Sequence, residues 1–406
     1  MSAAARLAKL RHEVTLVEAS DRLGGRLNGV TFEGETWQTD LDTVTLPGVF
    51  RDLFRKSGRP LEQVIDLEMT PGRRHMFKDK STLDLPLGNR GDQHAAILAA
   101  FGEDDWSAWV DSYAETWDVI RRTALDQTFA GRPAFDKKVR KVLRPKQSLA
   151  ALADRAFDDE RLAKLVLDPV RLAGDERRVT PGFVAVSHYV ERNFGRWRFA
   201  GGLPALAAAL EARLVERGVV VQHGEAGREL VRDGTDVSGV VTDLRTLPAD
   251  VVVWCAPTWP SPLAPPRGMP TIPAARAFIT LAANAPAMPA EILVHANPPI
   301  RLWSGDGVRW TIEHRSGEDV LRALARFGLD LREYVTSRHD MTPSDLVGLG
   351  HWGWAWRGWT TIFDLPGVAP SGGLYFAGAH AHPGASLEAI GMATAAIAEA
   401  VGPAPR

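Results

Sequence analysis

The hydrophobic and polar positions of the first 18 residues follow two different periods. Residues 2–10 are rich in Ala and Leu and carry their cations late, which predicts the body of a helix near its C-terminal end. Residues 13–17 form a short, mostly apolar run with two valines and a threonine, which is typical of a buried parallel strand. Glu18 closes that strand. This order predicts part of a nucleotide-binding βαβ unit.

The pattern farther along the chain alternates between helical and strand periods. The elements it predicts are, in chain order, a helix over 48–57, a strand pair over 73–86, helices from about 93 to 167, a helix over 204–217, a strand over 219–222, a hairpin over 228–241, a strand over 249–255, strands over 277–282, 291–296 and 308–312, a helix over 318–328, a strand beginning at 373, and a helix over 387–401.

The residues that follow the first strand carry candidate chemistry. A carboxylate at the end of such a strand, here Glu18, can accept a hydrogen bond from a nucleotide ribose. The next loop places Gly24 and Gly25 between Arg22 and Arg26. Glycines let a backbone approach a pyrophosphate, and arginine supplies a forked donor for it. These residues predict a dinucleotide-binding loop.

Three segments together resemble a known family. The run Ser2 to Arg26 is similar to the FAD-binding segment of the phytoene (carotenoid) desaturase branch of the flavin amine-oxidase superfamily. The run Gly373 to Ser386 resembles that family's closing flavin motif, Gly-Leu-Tyr-x-x-Gly-Ala-x-x-His-Pro-Gly-Ala-Gly, and 194–204 resembles its Gly-x-Trp-Tyr-Pro-x-Gly-Gly segment.

The resemblance implies a fold and a function. It implies an α/β fold: a Rossmann-like FAD-binding domain (1–75, 194–256 and 346–406) with an α+β substrate domain inserted in two segments (76–193 and 257–345). It implies non-covalent FAD and oxidation of an apolar, isoprenoid-type substrate by hydride transfer to the flavin, with no residue assigned as catalytic. The implied cofactor-binding residues are Glu18, Arg22, Gly24, Gly25, Arg26, Gly227, Gly378, Ala379, Pro383, Gly384, Ala385, Ser386 and Leu387.

The sequence also departs from the family pattern. Asp40 stands at a usual glycine, Gly227 at a usual valine, and Glu388 where the family often has proline. No strand and Gly-x-Gly-x-x-Gly loop precede residue 2, so we expect an N-terminally truncated nucleotide domain that binds FAD and folds poorly unless these elements lie upstream. Two alternatives therefore stay open: a flavin amine oxidase, and a non-catalytic relic of this fold.

Composition narrows the function classes. The net charge is −2, which does not suggest nucleic-acid binding. Cys255 is the one cysteine, so no intrachain disulfide can form, and this fits a reducing cytoplasm. No run of about 18 apolar residues predicts a transmembrane helix, and no signal peptide is visible.

Three local patterns each allow two interpretations. Six cations at 137–146 indicate either a solvated helix face or a peripheral contact with an anionic membrane, with Val139, Val142 and Leu143 between them. Trp352, Trp354 and Trp356 indicate either a packed loop or three indoles on one strand face beside the flavin. His380 and His382 could suggest a metal, but a metal site needs three or four convergent ligands, so we predict none.

Overall fold

The first elements of the chain form as the pattern predicts. In the computed structural model, which describes residues 1–351, 353–365 and 372–405, the first strand pairs in parallel with the strand over 220–223, and Glu18 lies opposite His223. The helices are α1 (Ser2–Lys9), α2 (Pro47–Ser57), α3 (Arg90–Phe101), α4 (Asp105–Asp111), α5 (Ala114–Ile120), α6 (Lys137–Leu143), α7 (Leu149–Ala156), α8 (Glu160–Ala173), α9 (Val186–Phe194), α10 (Gly202–Glu216), α11 (Val320–Ala325), α12 (Pro343–Gly348) and α13 (Leu387–Val401).

The strands of the described residues are two to seven residues long. They are β1 (Thr15–Glu18), β2 (Val30–Phe32), β3 (Glu35–Trp37), β4 (Thr43–Val44), β5 (Leu67–Met69), β6 (Gly72–Met76), β7 (Thr82–Pro86), β8 (Trp197–Phe199), β9 (Val220–His223), β10 (Gly227–Asp233), β11 (Asp236–Thr242), β12 (Thr246–Pro248), β13 (Val252–Trp254), β14 (Ala275–Leu281), β15 (Glu291–Val294), β16 (Ile300–Ser304), β17 (Arg309–His314), β18 (Val335–Met341) and β19 (Leu374–Phe376).

Two parallel strand pairs bring the two ends of the chain together. β1 pairs with β9, and β13 pairs with β19, which leads into α13. The helices that flank these strands join the chain ends, since Ser2 Oγ lies 2.7 Å from Thr394 Oγ1 in α13. Below them, the buried Phe54, Phe199 and Leu203 share one apolar core between α2, β8 and α10.

A seven-stranded mixed sheet, in the order β18-β14-β17-β16-β15-β6-β7, forms the centre of the second region. One face is apolar and buries residues such as Ile279 and Ile312 against Val320 and Leu324 of α11. The predicted domain boundary after residue 75 falls inside β6, which pairs along its whole length with β7. The division of the chain into two domains stays a prediction.

The opposite face of the sheet carries buried charges of alternating sign. Arg301 lies opposite Glu313, and Glu313 lies opposite Arg276, on three neighbouring strands. Arg276 donates to Glu313 across 2.9 Å, and its Nε donates to the carbonyl of Thr39 across 3.1 Å. The row of charges therefore ties the sheet to the segment around residue 39.

The helical region predicted from about 93 to 167 forms α3 to α8. These helices and α9 fold around their own core of large side chains, including Trp106, Leu165 and Val166. The basic helix α6 lies at its edge with Leu143 buried beside Phe129, Phe135 and Phe183. Among the described helices, none combines the length and the apolar character that a bilayer crossing requires.

Candidate cofactor site

The loop after β1 is shaped by its glycines. Gly24 and Gly25 have φ angles of 104° and 51°, in the left-handed region. A Cβ added to Gly24 would lie 2.8 Å from the Asn28 side chain, so only glycine fits there. The Glu18 carboxylate lies at the start of this loop and accepts hydrogen bonds from Ser20 N (2.9 Å) and Ser20 Oγ (2.7 Å). The loop thus begins with a carboxylate that Ser20 holds in place through one oxygen, and the ribose contact of Glu18 stays a prediction.

The segment that leads to Gly227 lies beside the same strand end. Glu225 N donates to the carbonyl of Glu18 across 3.0 Å. Gly227 starts β10, and an added Cβ would lie 3.3 Å from the Trp254 ring, which explains the small residue at this position. Glu18 and Gly227 are therefore close neighbours in one part of the site. Arg22 is exposed and takes no part in this cluster through its side chain.

Arg26 joins the N-terminal loop to the C-terminal turn. Its guanidinium donates to the carbonyl of Ala385 across 2.6 Å and pairs with Asp40 across 3.0 Å. The other oxygen of Asp40 lies 3.3 Å from His351 Nδ1, and His351 Nε2 lies 3.1 Å from Thr39 Oγ1. Arg26 thus links three chain segments, and its role as a pyrophosphate donor stays a prediction.

The charge of Asp40 is balanced within this network. Burial would raise the pKa of the Asp40 carboxyl, but the Arg26 guanidinium and the hydrogen bond with His351 outweigh burial and hold that pKa well below its usual range. Asp40 is therefore ionised at neutral pH and neutralises Arg26. Asp40, which replaces the family's usual glycine, is thus accommodated by Arg26 and His351.

The C-terminal turn is fixed by left-handed glycines and by one histidine. Gly378 and Gly384 have φ angles of 104° and 138° on either side of Ala379. His382 Nε2 donates to the carbonyl of Ala124 across 3.0 Å, and the ring stacks on Phe129 at 4.1 Å. Burial lowers the pKa of His382 to about 4, so the ring is neutral and holds the turn against the helical region.

The helix after the turn begins with a side-chain cap. Ser386 Oγ accepts from Ala389 N across 3.1 Å, and Leu387 is the first residue of α13. Glu388 lies in the first turn of this helix, where the family often has proline. Its carboxylate accepts hydrogen bonds from the backbone N–H and the hydroxyl of Thr45, so two donors meet its charge.

A cavity of about 350 Å³ opens where these segments meet. Its wall contains Arg26, His351, the turn at 382–385, and the side chains of Trp354 and Trp356. The tryptophans do not form a strand face: Trp354 makes a single bridge to Pro270, and Trp356 lies outside any strand. Trp352 falls outside the described residues. Trp354 and Trp356 line the cavity from a loop, which agrees with the packed-loop interpretation rather than with the strand face.

Sequence reasoning missed two titratable residues of this cavity, His351 and Asp175. Asp175 follows the end of α8 and accepts a hydrogen bond from Trp356 N across 2.8 Å. Burial raises the pKa of its carboxyl. No local motif marks either residue, because each reaches the cavity only through the tertiary fold. Among the described residues, no group of three or more His, Cys, Asp or Glu could hold a metal ion.

The comparison with protein families decides the identity of this arrangement. Residues 1–358 match the family model described as flavin containing amine oxidoreductase. The chain belongs to this family. The other observations fit a member of the flavin containing amine oxidoreductases, since the two chain ends build one site from the carboxyl ends of parallel strands and the start of a helix.

Several curated relatives of this flavin containing amine oxidoreductase have the names of carotenoid desaturases or oxygenases. The chain is 30% identical to hydroxyneurosporene desaturase of Cereibacter sphaeroides over 63% of this chain and 53% of the relative. It is 28% identical to the zeta-carotene-forming phytoene desaturase of Myxococcus xanthus over 59% and 48%, and 24% identical to 4,4'-diapolycopene oxygenase of a Methylomonas species over 62% and 52%. The matched region spans about half the length of these relatives.

Solved structures share the fold. An oxidoreductase from Methanosarcina mazei superposes with a TM-score of 0.64 at 16% identity, covering 98% of this chain and 97% of the other. RAB GDI from Plasmodium falciparum superposes with a TM-score of 0.56 at 11% identity, covering 98% and 95%. The predicted α/β fold with a Rossmann-like domain is therefore confirmed.

The residues present fit the flavin end of FAD, the cofactor that this family implies. A Cβ added to Gly384 would meet nothing within 4 Å, so the backbone there faces open space. The first N–H groups of α13 lie next to this turn and, as at any helix start, have no partner within the helix. Such a site favours a planar group with a negative edge.

Proposed function

We propose that this protein is an FAD-dependent oxidoreductase of the phytoene desaturase-like type, which dehydrogenates an apolar, isoprenoid-type substrate. The observation that carries the proposal is the convergence of Arg26, His351 and the turn 383–385 on one cavity with an indole wall. Three named relatives with carotenoid substrates support the substrate class.

The residues have separate tasks in this proposal. Glu18 binds the ribose, and Gly24 and Gly25 let the backbone approach the pyrophosphate. Residues 383–387 and the start of α13 hold the flavin, which supplies the hydride acceptor when bound. Trp354 and Trp356 exclude water from the reacting face.

A flavin amine oxidase is the second candidate, and Asp175 favours it. A carboxylate beside Trp354 and Trp356 matches the chemistry that binds a cationic amine, through charge and through the faces of the rings. The fold does not distinguish an enzyme from the third interpretation, a non-catalytic relic of this fold. Two measurements, FAD binding and reduction of the bound flavin, distinguish them.

The experiment is an FAD titration followed by flavin fluorescence on the wild type and two glycine variants. Gly378→Ala strains the turn at φ 104°, and Gly234→Ala is the matched control, because its φ of 60° is also left-handed and lies in the β10–β11 hairpin. A left-handed alanine costs about 1–2 kcal/mol in each. We expect Gly378→Ala to weaken FAD binding about tenfold and Gly234→Ala to leave it unchanged.

The substrate class is then tested by anaerobic reduction of the bound flavin. A C40 isoprenoid hydrocarbon in detergent should bleach the flavin absorbance, and a primary amine should not. Bleaching by the amine alone would favour the amine oxidase. A folded protein with no flavin absorbance after added FAD would contradict both enzyme proposals.

A peripheral membrane contact through 137–146 is the delivery route that suits such a substrate. Lys137, Lys138, Arg140, Lys141, Arg144 and Lys146 are all exposed. Val139 and Leu143 pack inward against the aromatic cluster of Phe129 and Phe135, so the contact we propose is electrostatic rather than an inserted helix. The cytoplasmic location stays a prediction that rests on Cys255.

A further inference from the structure

A second cavity shares a wall with the first. It encloses about 1740 Å³, and its lining includes Arg171, Glu176, Arg177 and Arg178 at the end of α8. Ala173 and Asp175, from the same turn, line the first cavity. The residues 171–178 therefore separate the two spaces. We call the second space the basic cavity.

The basic cavity has more positive than negative side chains. Of the described residues in its lining, seven are Lys or Arg and five are Asp or Glu. Several of these charges are already paired: Lys164 with Glu160 at 2.6 Å, and Arg161 with Asp79 at 3.4 Å. Two further carboxylates of the lining, Asp154 and Glu176, form no ion pair with another described residue, and Glu176 accepts a hydrogen bond from Arg178 N across 3.1 Å.

Three cations of the lining have no ion-pair partner among the described residues: Lys78, Arg177 and Arg178. Arg177 and Arg178 are consecutive, and Arg178 is exposed. Neighbouring cations without carboxylate partners repel one another, which a bound anion relieves. Arginine also presents its N–H groups in a planar fork that matches phosphate oxygens.

The floor of the cavity is a fixed polar chain. Arg171 donates to Asp168 Oδ1 across 2.8 Å and to Asn297 Oδ1 across 2.5 Å. Asp168 Oδ2 accepts from His295 Nδ1 across 2.9 Å, and His295 Nε2 lies 2.9 Å from His75 Nδ1. Both oxygens of this buried carboxylate are thus occupied, so Asp168 orients Arg171 without presenting a free negative charge to a ligand.

We propose that the basic cavity binds a small, soluble phosphorylated molecule carrying a diphosphate or similarly charged group, with Arg171, Arg177 and Arg178 as its main ligands. The site is concave and local, which distinguishes it from a surface for nucleic acid. A ligand there contacts the turn that carries Asp175 into the first cavity. The proposal does not depend on the proposed oxidoreductase activity, since binding in this cavity needs no flavin.

The experiment is isothermal titration of the full chain with inorganic pyrophosphate, with and without FAD. Arg177→Ala/Arg178→Ala removes the two consecutive cations of the cavity that form no ion pair with a described residue. Arg55→Ala/Lys56→Ala is the matched control, because it removes two consecutive exposed cations from α2. Thermal melts confirm that both variants are folded, and a parallel arm measures binding to phosphatidylglycerol vesicles.

We expect the wild type and the α2 control to bind pyrophosphate equally, and the Arg177/Arg178 variant to bind at least tenfold more weakly. Absence of pyrophosphate binding to the wild type, or an equal loss in both variants, would overturn the proposal. The proposal would also be overturned, in favour of a lipid headgroup, if the wild type bound vesicles but not pyrophosphate and the Arg177/Arg178 variant lost vesicle binding. A protein that binds pyrophosphate but not FAD would contradict the proposed function and leave this site standing.

Discussion

Asp40 joins three segments that are distant in the sequence. It lies between Arg26 of the N-terminal loop and His351 beyond α12, and Arg26 in turn holds the carbonyl of Ala385. The side chains of Arg26 and Asp40 are 20% and 24% exposed, so this pair is partly shielded from water. Removing one partner of such a pair costs more than at the surface and less than at a fully buried site.

A double-mutant cycle tests this role. Asp40→Asn should leave the Arg26 guanidinium without its counter-charge and lower the free energy of unfolding by roughly 1–3 kcal/mol. Arg26→Gln should cost a similar amount, and the double variant should cost less than the sum of the two, with a coupling of about 1 kcal/mol or more. Urea unfolding measures all four proteins. Strictly additive costs would show that the pair contributes nothing.

For single residues, the sequence predicts which residues belong to the site better than it predicts which residues they contact. The left-handed turns at Gly24, Gly378 and Gly384 could be predicted, because few residues other than glycine adopt that backbone conformation. The direction of the Arg26 side chain could not be predicted, because its partner Asp40 was noted in the sequence only as a departure from the family pattern. Asp175 and His351 carry no local signal at all.

The C-terminal turn depends on one neutral histidine. With Nε2–H donated to Ala124, the buried Nδ1 of His382 has no hydrogen-bond partner among the described residues. Protonation would place a cation and a donor without an acceptor in that position. The folded pKa of His382 is depressed to about 4, so the stability it contributes is present above the unfolded pKa, near 6.5, and is lost as the pH falls towards the folded value.

The free energy of unfolding should therefore decrease by about 2 kcal/mol between pH 7 and pH 5 because of this one residue. His382→Gln keeps an N–H donor for Ala124 and does not titrate, so its stability should change less over this range. His223→Gln, at the exposed end of β9, is the control and should follow the wild type. Parallel pH profiles for all three proteins would rule out the assigned role.

Helices and strands with a regular pattern of apolar and polar residues were predicted more accurately than those without one. α13 was predicted with its observed bounds, and α1, α2 and α10 to within two residues, because caps, glycines and an apolar period mark their ends. β16 and β18 were missed. β18 is the edge strand of its sheet and reads Val-Thr-Ser-Arg-His-Asp-Met, a polar run with no alternation to detect.

At the scale of the whole molecule, charge is arranged by location rather than by total. The net charge is only −2, yet α6 and the following residues to 146 expose six cations. The same helix packs Leu143 against Phe129, and Phe129 stacks on His382 of the cofactor turn. The basic surface and the candidate site are therefore connected through one aromatic cluster, which places the proposed membrane contact close to the cofactor turn.

The membrane contact is testable with vesicles. Each cation near an anionic bilayer contributes about 1 kcal/mol, so Lys137→Ala/Lys138→Ala should lower partitioning to phosphatidylglycerol vesicles by roughly tenfold or more. Because Val139 and Leu143 pack inward, neutral phosphatidylcholine vesicles should not bind the protein, and about 0.5 M salt should abolish binding to the anionic ones. The α2 variant Arg55→Ala/Lys56→Ala, which removes the same charge elsewhere, should bind like the wild type. Equal binding to neutral vesicles would mean that apolar insertion, rather than the charge of α6, holds the protein to the membrane, and an equal loss in the α2 variant would mean that no specific surface is involved.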